Sequence, residues 1–423
     1  MREEQLRSGH PPGRKDDLPP DTDAEGLVTD VNVLIVSPSD ITDPRGGAGN
    51  RALNLAKGLK KAGNTVTVLQ SKKPANRQAY SDDFEIRTYF QGIGKRELFY
   101  FNDVNPFFWR AIVKLLAQRR VDIMHVELPW GVVAVCVLTR LIGNRQKVVY
   151  SSQNLQAAVE NERARYAKTE KRARFLDIVI AYIEAINTRI VEPFAARLSD
   201  VILCVSDVDK VNFIDTYGIN ADKIHLIPNG TSLQEAQSAS RDKGSFGLDE
   251  SKLAVVFHGT YAYAPNKEAI RCIIDRIAPG VRGRHKPEFV IAGNGVPRCE
   301  LGGNVRCLGF VDEIHTLLKS SDIAIVPLQS GGGTRLKILD YFAVGLPVVT
   351  TRKGIEGIAA INQTHALIVD DTEEFIEALQ YLIDHPKERK RLGANAFELV
   401  ESQYDWEIIG QRLNRLYTGE YSC

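Results

Sequence analysis

The sequence predicts an α/β protein with two domains of similar size, each built on a parallel β-sheet with helices on both faces. Short β-branched runs alternate with helical stretches from about residue 31 to the end of the chain. Strands that are apolar throughout indicate sheets covered on both sides. The polar, small-residue segment 231–250 interrupts this alternation once, as a linker or surface loop would. A chain of 423 residues is long enough for two or three such domains.

The first half of the chain contains five candidate strands, with helical patterns between most of them. Between the first two strands, residues 50–63 place Leu53, Ala56 and Leu59 on one helical face. Strands that alternate with helices in this way are typical of a doubly wound, Rossmann-like parallel sheet. The predicted strands are 31–38, 64–70, 121–127, 147–152 and 200–206.

The second half repeats the pattern after residue 250, which predicts a second Rossmann-like domain and a cleft between the two. Ligands of such sheets bind beyond the carboxyl ends of the strands. The predicted strands are 253–260, 288–293, 304–310, 322–328, 346–351 and 365–370. The predicted division of the chain is a flexible tail at 1–27, domains at 28–229 and 230–403, and a C-terminal helix at 404–423 that packs toward the first domain.

Charge and composition exclude several classes of protein. The chain has 54 basic and 53 acidic residues, so no basic surface for nucleic acid is indicated. The nearest approach to a membrane span, Phe175 to Ile186, is interrupted by Asp177 and Glu184, and it predicts a helix buried on one face. The first 26 residues lack the apolar region of a secretory signal, and the six cysteines form no CxxC pair. We therefore expect reduced cysteines and a cytoplasmic protein.

A glycine-containing loop follows the first predicted strand and leads into the first helix. In GGAGN, Gly46 and Gly47 allow a close backbone approach, and the amides at the helix start can receive a phosphate. A nicotinamide-binding fingerprint would need GxGxxG and an acidic residue at the end of the second strand, where this chain has Gln70. The loop is thus either a phosphate site of another kind or a tight turn that needs glycine.

A second glycine loop, QSGGGTRLKILD, carries charges that the start of a helix does not favour. The glycines at 331–333 lead into a predicted helix that Thr334 can cap, and Arg335 and Lys337 stand in its first turn. The amino end of a helix carries a partial positive charge, so cations are unfavourable there unless an anion binds. The pattern favours a phosphate-binding loop, and the alternative is a solvated basic turn with an ordinary Lys337–Asp340 pair.

The segment SSDIAIVPLQSGGGTRLKILDYFAVGLPVVTTRKGIEGI resembles the nucleotide-sugar site of glycosyltransferase family 4, the retaining transferases of GT-B fold. Upstream, AVVFHGTYAYAPNKEAI, FVIAGNG and NVRCLGFVDEIHTLLKSSD are similar to the same domain, in order. The resemblance is specific from Leu253 to about Trp406 and looser in the first half. It implies two Rossmann-like domains facing a central cleft. It also implies transfer of a sugar from a nucleoside diphosphate sugar to an acceptor hydroxyl, with retention of anomeric configuration.

The resemblance implies donor-binding roles in the second domain. The family's carboxylate pair falls on Gly332 and Asp340, so Asp340 would hydrogen-bond the nucleotide ribose while glycine amides contact the donor sugar. The arginine that many members have after the first strand of this domain is absent, since Gly259 is followed by threonine. Arg335 and Lys337 would supply the charge and act catalytically on the leaving diphosphate. The residues expected at the donor are Gly46, Gly47, Gly259, Gly331, Gly332, Gly333, Thr334, Val311 and Asp340.

In the first domain the resemblance implies residues near the acceptor. Glu127 lies in VDIMHVELPW at a place where some members have histidine, and Gln153 takes the histidine place in SSQNLQA. Both are expected to take part in catalysis, and the alternative for each is a plain loop residue. His125 is expected to point into the sheet as a core residue. The residues expected on the acceptor side are Asn50, Arg51 and Asn154.

No metal and no other cofactor is expected. Asp207 and Asp209 spell the DxD motif of metal-dependent GT-A transferases, but they follow Ser206 at a helix start, where capping explains them. The expected partners are a nucleoside diphosphate sugar and a glycan, lipid-linked or small-molecule acceptor, while peripheral contact with the inner face of a membrane is left open. Three alternatives remain: a noncatalytic sugar-nucleotide-binding protein, a nonhydrolysing sugar-nucleotide epimerase and a nicotinamide oxidoreductase.

Overall fold

The structure of the chain is a computed structural model. It describes residues 30–42, 47–71, 84–90, 102–143, 146–169, 175–283, 286–301 and 304–419. The predicted tail at 1–27 and the donor residue Gly46 lie outside the described residues.

The first sheet is fully parallel, with the strand order β3-β2-β1-β4-β5-β6-β7. All five predicted strands are present, with ends within two residues of the prediction. The edge strands β3 and β7 were not predicted. The strands are β1 Asn32–Ser37, β2 Thr65–Gln70, β3 Glu85–Thr88, β4 Ile123–Glu127, β5 Lys147–Ser151, β6 Val201–Cys204 and β7 Ile224–Leu226.

The second sheet has the order β10-β11-β9-β8-β12-β13-β14 and is parallel except for β10 at its edge. All six predicted strands are present, again with ends within two residues, and β10 was not predicted. The strands are β8 Ala254–His258, β9 Glu288–Ala292, β10 Cys299–Leu301, β11 Val305–Gly309, β12 Ile323–Val326, β13 Val348–Thr350 and β14 Leu367–Ile368.

Helices connect most of these strands, and their starts follow local sequence signals. Asn105, Asp371 and Asp405 each cap a helix through a side-chain oxygen, as short polar residues do at this position. Within the segment predicted as a linker, Ser232 caps a short helix. The helices are α1 Gly47–Lys61, α2 Pro106–Gln118, α3 Val132–Leu141, α4 Gln156–Thr169, α5 Phe175–Leu198, α6 Asp207–Tyr217, α7 Leu233–Ser238, α8 Ala264–Cys272, α9 Ala278–Gly280, α10 Ile314–Lys319, α11 Leu336–Ala343, α12 Arg352–Ile355, α13 Thr372–Asp384, α14 Pro386–Gln403 and α15 Trp406–Thr418.

Three main hydrophobic cores support the two sheets. One core fills the second domain, and one lies on each face of the first sheet. Helix α15 contributes to a core of the first domain through Ile409 and Leu413. It crosses α1 where two glycines meet, because the Cβ position of Gly58 is only 2.7 Å from the Cα atom of Gly410. The last described helix therefore packs on the first sheet, although the domain limits given above remain a prediction.

The two domains meet at the carboxyl ends of their strands. The Cβ position of Gly47, at the start of α1, lies 3.6 Å from Leu336 Cδ1, at the start of α11. The Cβ position of Gly332 lies 3.2 Å from Val159 Cγ2 on α4. These contacts place both glycine loops on the same cleft, where ligands of doubly wound sheets bind.

Candidate active site

The loop before α11 is arranged differently from the prediction. The helix begins at Leu336, so Arg335 occupies the N-cap position and not the first turn. Its side chain makes no capping bond. The prediction that Thr334 caps this helix is wrong, because Thr334 Oγ1 is buried without a hydrogen-bond partner among the described residues. Gly331 and Gly333 have φ angles of 98° and 76°, a conformation that favours glycine.

The Arg335 side chain is buried and holds the glycine loop in place. Its guanidinium donates to the carbonyl oxygen of Gly332 and, at 2.8 Å, to that of Gly333. Its Nε atom is buried without a partner in the described part of the chain. Arg335 therefore neither points into bulk solvent nor lies freely in the cleft. It fixes the loop whose backbone amides would meet a ligand, and its direct role in catalysis remains a prediction.

Lys337 stands in the first turn of α11, and its ammonium lies at the end of β8, on the second domain's side of the cleft. Its Nζ atom is 2.7 Å from Asn266 Oδ1 and 4.2 Å from the centre of the Phe257 ring. The Cβ position of Gly259 is only 2.7 Å from the same Nζ atom, so a larger residue at 259 would displace the ammonium. Burial, followed by the charge of Arg335, lowers the pKa of Lys337 to about 7. None of the described carboxylates contributes to this shift, so the ammonium lacks a counter-ion that an anionic ligand would supply.

Asp340 lies one turn further along α11 and accepts a hydrogen bond of 2.8 Å from Thr231 Oγ1. Its Oδ2 atom is 3.9 Å from His258 Nε2. Burial raises the pKa of Asp340, while the charge of His315 and the bond from Thr231 act in the opposite direction. Burial and the charge of Lys337 lower the pKa of His258 to about 3, so that ring is neutral near pH 7. The carboxylate predicted to bind ribose is thus partly buried, and the prediction of ribose binding is untested.

Glu127, at the end of β4, is fully buried in a hydrogen-bond network. Its carboxylate lies 2.9 Å from His125 Nε2 and accepts bonds from Ser151 Oγ at 3.1 Å and from Gln153 Nε2 at 3.3 Å. Although burial raises its pKa, the bond and charge of His125 and the charge of Arg51 lower it overall. His125 is also fully buried, which confirms it as a core residue. Gln153, which bonds Glu127, is half-buried, and its carbonyl oxygen lies 3.7 Å from the Cβ position of Gly333. The catalytic roles expected for Glu127 and Gln153 stay predictions.

The acceptor-side prediction for Arg51 is wrong. Its side chain is only 1% exposed. It donates to the carbonyl oxygens of Ile227 and Pro228 and to Asn229 Oδ1, all at 2.9 Å. This arginine fixes the chain that leaves the first sheet and cannot contact an acceptor. Neighbouring Asn50 accepts a hydrogen bond from Asn54 Nδ2 and is half-buried.

A cavity of about 210 Å³ lies between the domains beside the second glycine loop. Asn154 lies in its wall, with a buried Oδ1 atom that has no partner among the described residues. Asn154 Nδ2 is also 3.3 Å from the Cβ position of Gly333, so the loop before α4 touches the second glycine loop here. The lining residues are Asn154, Leu155, Ala158, Val159, Glu162, Ser206, Val208, Asp209, Asn212, Gly331, Gly332, Gly333, Thr334, Lys353, Glu356 and Gly357.

The DxD aspartates belong to a helix start. Ser206 Oγ accepts a hydrogen bond of 3.1 Å from the amide of Asp209, which confirms the capping interpretation. Burial and the charge of Glu356 raise the pKa of Asp209 to about 6. In the described ranges no group of three or more His, Cys, Asp or Glu side chains could hold a metal ion.

The remaining predicted residue, Val311, follows β11 and is half-buried. It lies in the wall of a second groove, of about 830 Å³, together with Arg306 and Phe310. The prediction missed Asn266, His258 and Thr231, which contact the charged residues of α11. No motif or spacing marks these three, because each reaches the site from a different loop or strand end.

Comparison with known proteins agrees with this architecture. The Glycosyltransferase Family 4 profile matches residues 45–235, and the profile for Glycosyl transferases group 1 matches residues 252–385. Two Rossmann-like domains that face a central cleft match the fold of GT-B glycosyltransferases. Together the two profiles cover well over half of the chain, and the chain belongs to glycosyltransferase family 4.

Two curated relatives and one solved structure illustrate the likeness. A GDP-mannose-dependent monoacylated alpha-(1-6)-phosphatidylinositol monomannoside mannosyltransferase of Corynebacterium glutamicum is 26% identical, over 52% of this chain and 62% of that protein. The matched part of the chain therefore spans less than two thirds of that relative. The phosphatidyl-myo-inositol mannosyltransferase of Mycolicibacterium smegmatis is 23% identical, over 89% of this chain and 90% of its own length. Anabaena HepE, solved in complex with UDP-glucose, superposes with a TM-score of 0.68 at 14% identity, covering 92% of this chain and 99% of HepE.

Among the described helices, none combines the length and the apolar character needed to cross a membrane.

Proposed function

We propose that this protein transfers a sugar from a nucleoside diphosphate sugar to an acceptor hydroxyl, with retention of configuration and without a metal ion. The observation that carries the proposal is the Lys337 ammonium, half-buried beside the glycine loop without a carboxylate partner among the described residues. Burial of an uncompensated charge is costly, and a diphosphate group would supply the missing negative charge. The nucleotide sugars named for two similar proteins, GDP-mannose and UDP-glucose, share this diphosphate but not the base or sugar.

Catalysis would depend on charge stabilisation by the second domain. As the bond between the sugar and the diphosphate breaks, negative charge grows on the departing phosphate. Lys337 and the amides of Gly332 and Gly333 would stabilise that charge, which is a large effect in a preorganised site. The departing phosphate would then take the proton from the acceptor hydroxyl, which attacks the same face of the sugar. Arg335 would act mainly by holding the loop, since its guanidinium already bonds two loop carbonyls.

The acceptor would occupy the cavity between the domains. Asn154 presents its amide group there, and its Oδ1 atom has no partner in the described part of the chain. Amide donors and acceptors suit hydroxyl groups, which both donate and accept hydrogen bonds. The lipid substrates named for the two mannosyltransferases support a lipid-linked acceptor and action at a membrane surface.

The experiment that tests the proposal has two stages. In the first, thermal unfolding is measured with GDP-mannose, UDP-glucose and other nucleoside diphosphate sugars. A true donor at 100 times its dissociation constant would stabilise the protein by about 2.7 kcal/mol. In the second, release of the nucleoside diphosphate from that donor is measured with and without candidate acceptors. Donor binding without acceptor-dependent release would contradict sugar transfer and indicate a noncatalytic binding protein.

A further inference from the structure

Helix α5 presents an apolar face to solvent. The sequence predicts one buried face, and the structure shows that small or polar side chains, among them Ala181, Ala185 and Thr188, occupy it. The large apolar side chains point the other way, and each is at least 40% exposed. They are Phe175, Leu176, Tyr182, Ile183, Ile186, Ile190 and Phe194. A soluble surface rarely shows so many large apolar residues along one helix, so this face indicates an interaction site.

Helices α4 and α5 form an antiparallel hairpin that we call the α4–α5 hairpin. Its seam is built from Ala164, Ala181 and Ala185, whose small size lets the helices approach closely. The buried Glu192 on α5 accepts hydrogen bonds from the amides of Gln156 and Ala157 at the start of α4, at 2.8 and 2.7 Å. The hairpin is thus fixed at its base, and the apolar face is not needed for its packing.

The charges on the hairpin favour an anionic partner. Among its described exposed residues, Glu162 and Asp177 are acidic, while the less exposed Glu160 and Glu184 both pair with Arg163. The exposed basic residues are Arg163, Arg165, Lys168, Arg189 and Arg197. Because Arg163 is paired, the exposed positive excess comes from Arg165, Lys168, Arg189 and Arg197. A second copy of the chain would bring the same charges against this face, whereas a layer of anionic headgroups would neutralise them. An amphipathic helix with aromatic and aliphatic residues on one face and basic residues beside them is typical of helices that lie in a membrane interface.

The hairpin also adjoins the candidate active site. Ala158, Val159 and Glu162 on α4 line the cavity between the domains. Because packed helices lie roughly 10 Å apart, the exposed face of α5 is about one helix away from that cavity. A lipid held at this face could present its headgroup to the cleft without leaving the membrane.

We propose that the exposed face of α5 binds an anionic phospholipid surface and places the cleft beside it. The apolar side chains would enter the boundary between headgroups and acyl chains, and the flanking arginines would contact phosphates. The inference deepens the proposed function, because it names the surface on which a lipid-linked acceptor would be met. It can fail separately, since binding to vesicles requires no sugar transfer.

The test is flotation of the full chain with phosphatidylcholine vesicles, with and without phosphatidylglycerol. We expect stronger binding to the anionic vesicles. The double variant I186E/I190E should reduce partitioning by at least about tenfold, because it removes two apolar side chains from the interface. R189E/R197E should reduce binding to anionic vesicles by about fivefold or more per residue and change binding to neutral vesicles little.

The matched control is Ile361→Glu, which changes an isoleucine that is 61% exposed in the second domain, compared with 57% for Ile186 and Ile190. It should bind vesicles like the parent. Cooperative thermal unfolding at the midpoint of the parent shows whether each variant is folded. If I186E/I190E does not fold, R189E/R197E alone decides. No preference of the parent for anionic vesicles, equal binding by parent and variants, or a dimer that I186E/I190E dissociates would each overturn the proposal.

Discussion

Lys337 and Glu127 lie on opposite sides of the cleft and show two ways of burying a charge. Glu127 is surrounded by His125, Ser151 and Gln153, and its pKa is lowered overall despite burial. Among the described residues, Lys337 has only the amide oxygen of Asn266 and the face of Phe257 as partners, and its pKa falls to about 7. A charge whose partners are all present is a structural element, whereas a charge that lacks a counter-ion indicates where a ligand is expected.

The largest effect is expected from Lys337→Ala. Acceptor-dependent release of the nucleoside diphosphate should slow by about 10²–10³, the range measured when one group that stabilises transition-state charge is removed. Thermal stability without ligand should not fall, because the variant removes a poorly compensated ammonium. Lys252→Ala is the matched control, since Lys252 is exposed and its ammonium pairs with nearby Asp249. Near-normal turnover of Lys337→Ala would contradict the proposal that the Lys337 ammonium marks the ligand site.

Glu127→Gln should act mainly on stability. We expect a loss of about 2 kcal/mol in the free energy of unfolding, because the amide leaves part of a buried network unsatisfied. The lowered pKa of Glu127 means that the charged carboxylate stabilises the parent above the unfolded pKa, and that this contribution is lost as pH falls through the folded pKa. Urea unfolding between pH 7 and pH 3 should therefore show a weaker acid dependence for the variant.

Glu192→Gln is the matched control for Glu127, since both carboxylates are buried in hydrogen-bond networks. Burial raises the pKa of Glu192 although four hydrogen bonds act against it. The pH dependence of stability therefore has the opposite sign for Glu192. Its charged form lowers the free energy of unfolding as pH rises above the unfolded pKa. If Glu127→Gln leaves stability unchanged but abolishes turnover, Glu127 acts in catalysis and the structural interpretation is wrong.

A smaller effect is expected from pH on donor binding. The lowered pKa of Lys337 predicts that the ammonium loses its proton above about pH 7 in the free protein. Donor affinity should then fall by up to tenfold per pH unit, while the stability of the free protein rises because the costly charge disappears. Calorimetric titration of the nucleoside diphosphate between pH 6 and 9 measures the first trend. If donor affinity does not change with pH in the parent or in Lys337→Ala, a group other than Lys337 supplies the positive charge.

The sequence predicted the central strands well because they are apolar on both faces. Such continuous apolar runs can be recognised without knowing the tertiary structure. It missed β3, β7 and β10, which lie at sheet edges. In β3 and β7 the side chains are partly exposed, so the apolar pattern is weak. It also predicted the helix at 175–186 correctly, but not which face is buried. Alanines pack in the seam with α4, so the larger residues are left outside. Only the partner helix decides that orientation.

The loops that form the candidate site could be predicted from the sequence. The contacts and roles of the individual residues could be predicted less well. Glycine spacing and the family resemblance located the loop at 331–333 and the lysine beside it. They could not show that Arg335 bonds its own loop, or that Arg51 bonds carbonyls about 177 residues away. A cation placed beside a glycine loop has the same sequence signal whether it faces a ligand or the backbone. The difference depends on the three-dimensional path of the loop.

The smallest expected effect compares two hydroxyls on the cavity wall. Ser206 caps α6, so Ser206→Ala should cost about 1 kcal/mol of stability. Thr334 Oγ1 has no partner among the described residues, so Thr334→Val, which keeps the shape, should leave the free protein as stable or slightly more stable. Urea unfolding of both variants measures this difference. If Thr334→Val weakens donor or acceptor binding without changing stability, that hydroxyl is free for a ligand in the same sense as the Lys337 ammonium. A loss of stability as large as that of Ser206→Ala would instead place Thr334 among the satisfied groups.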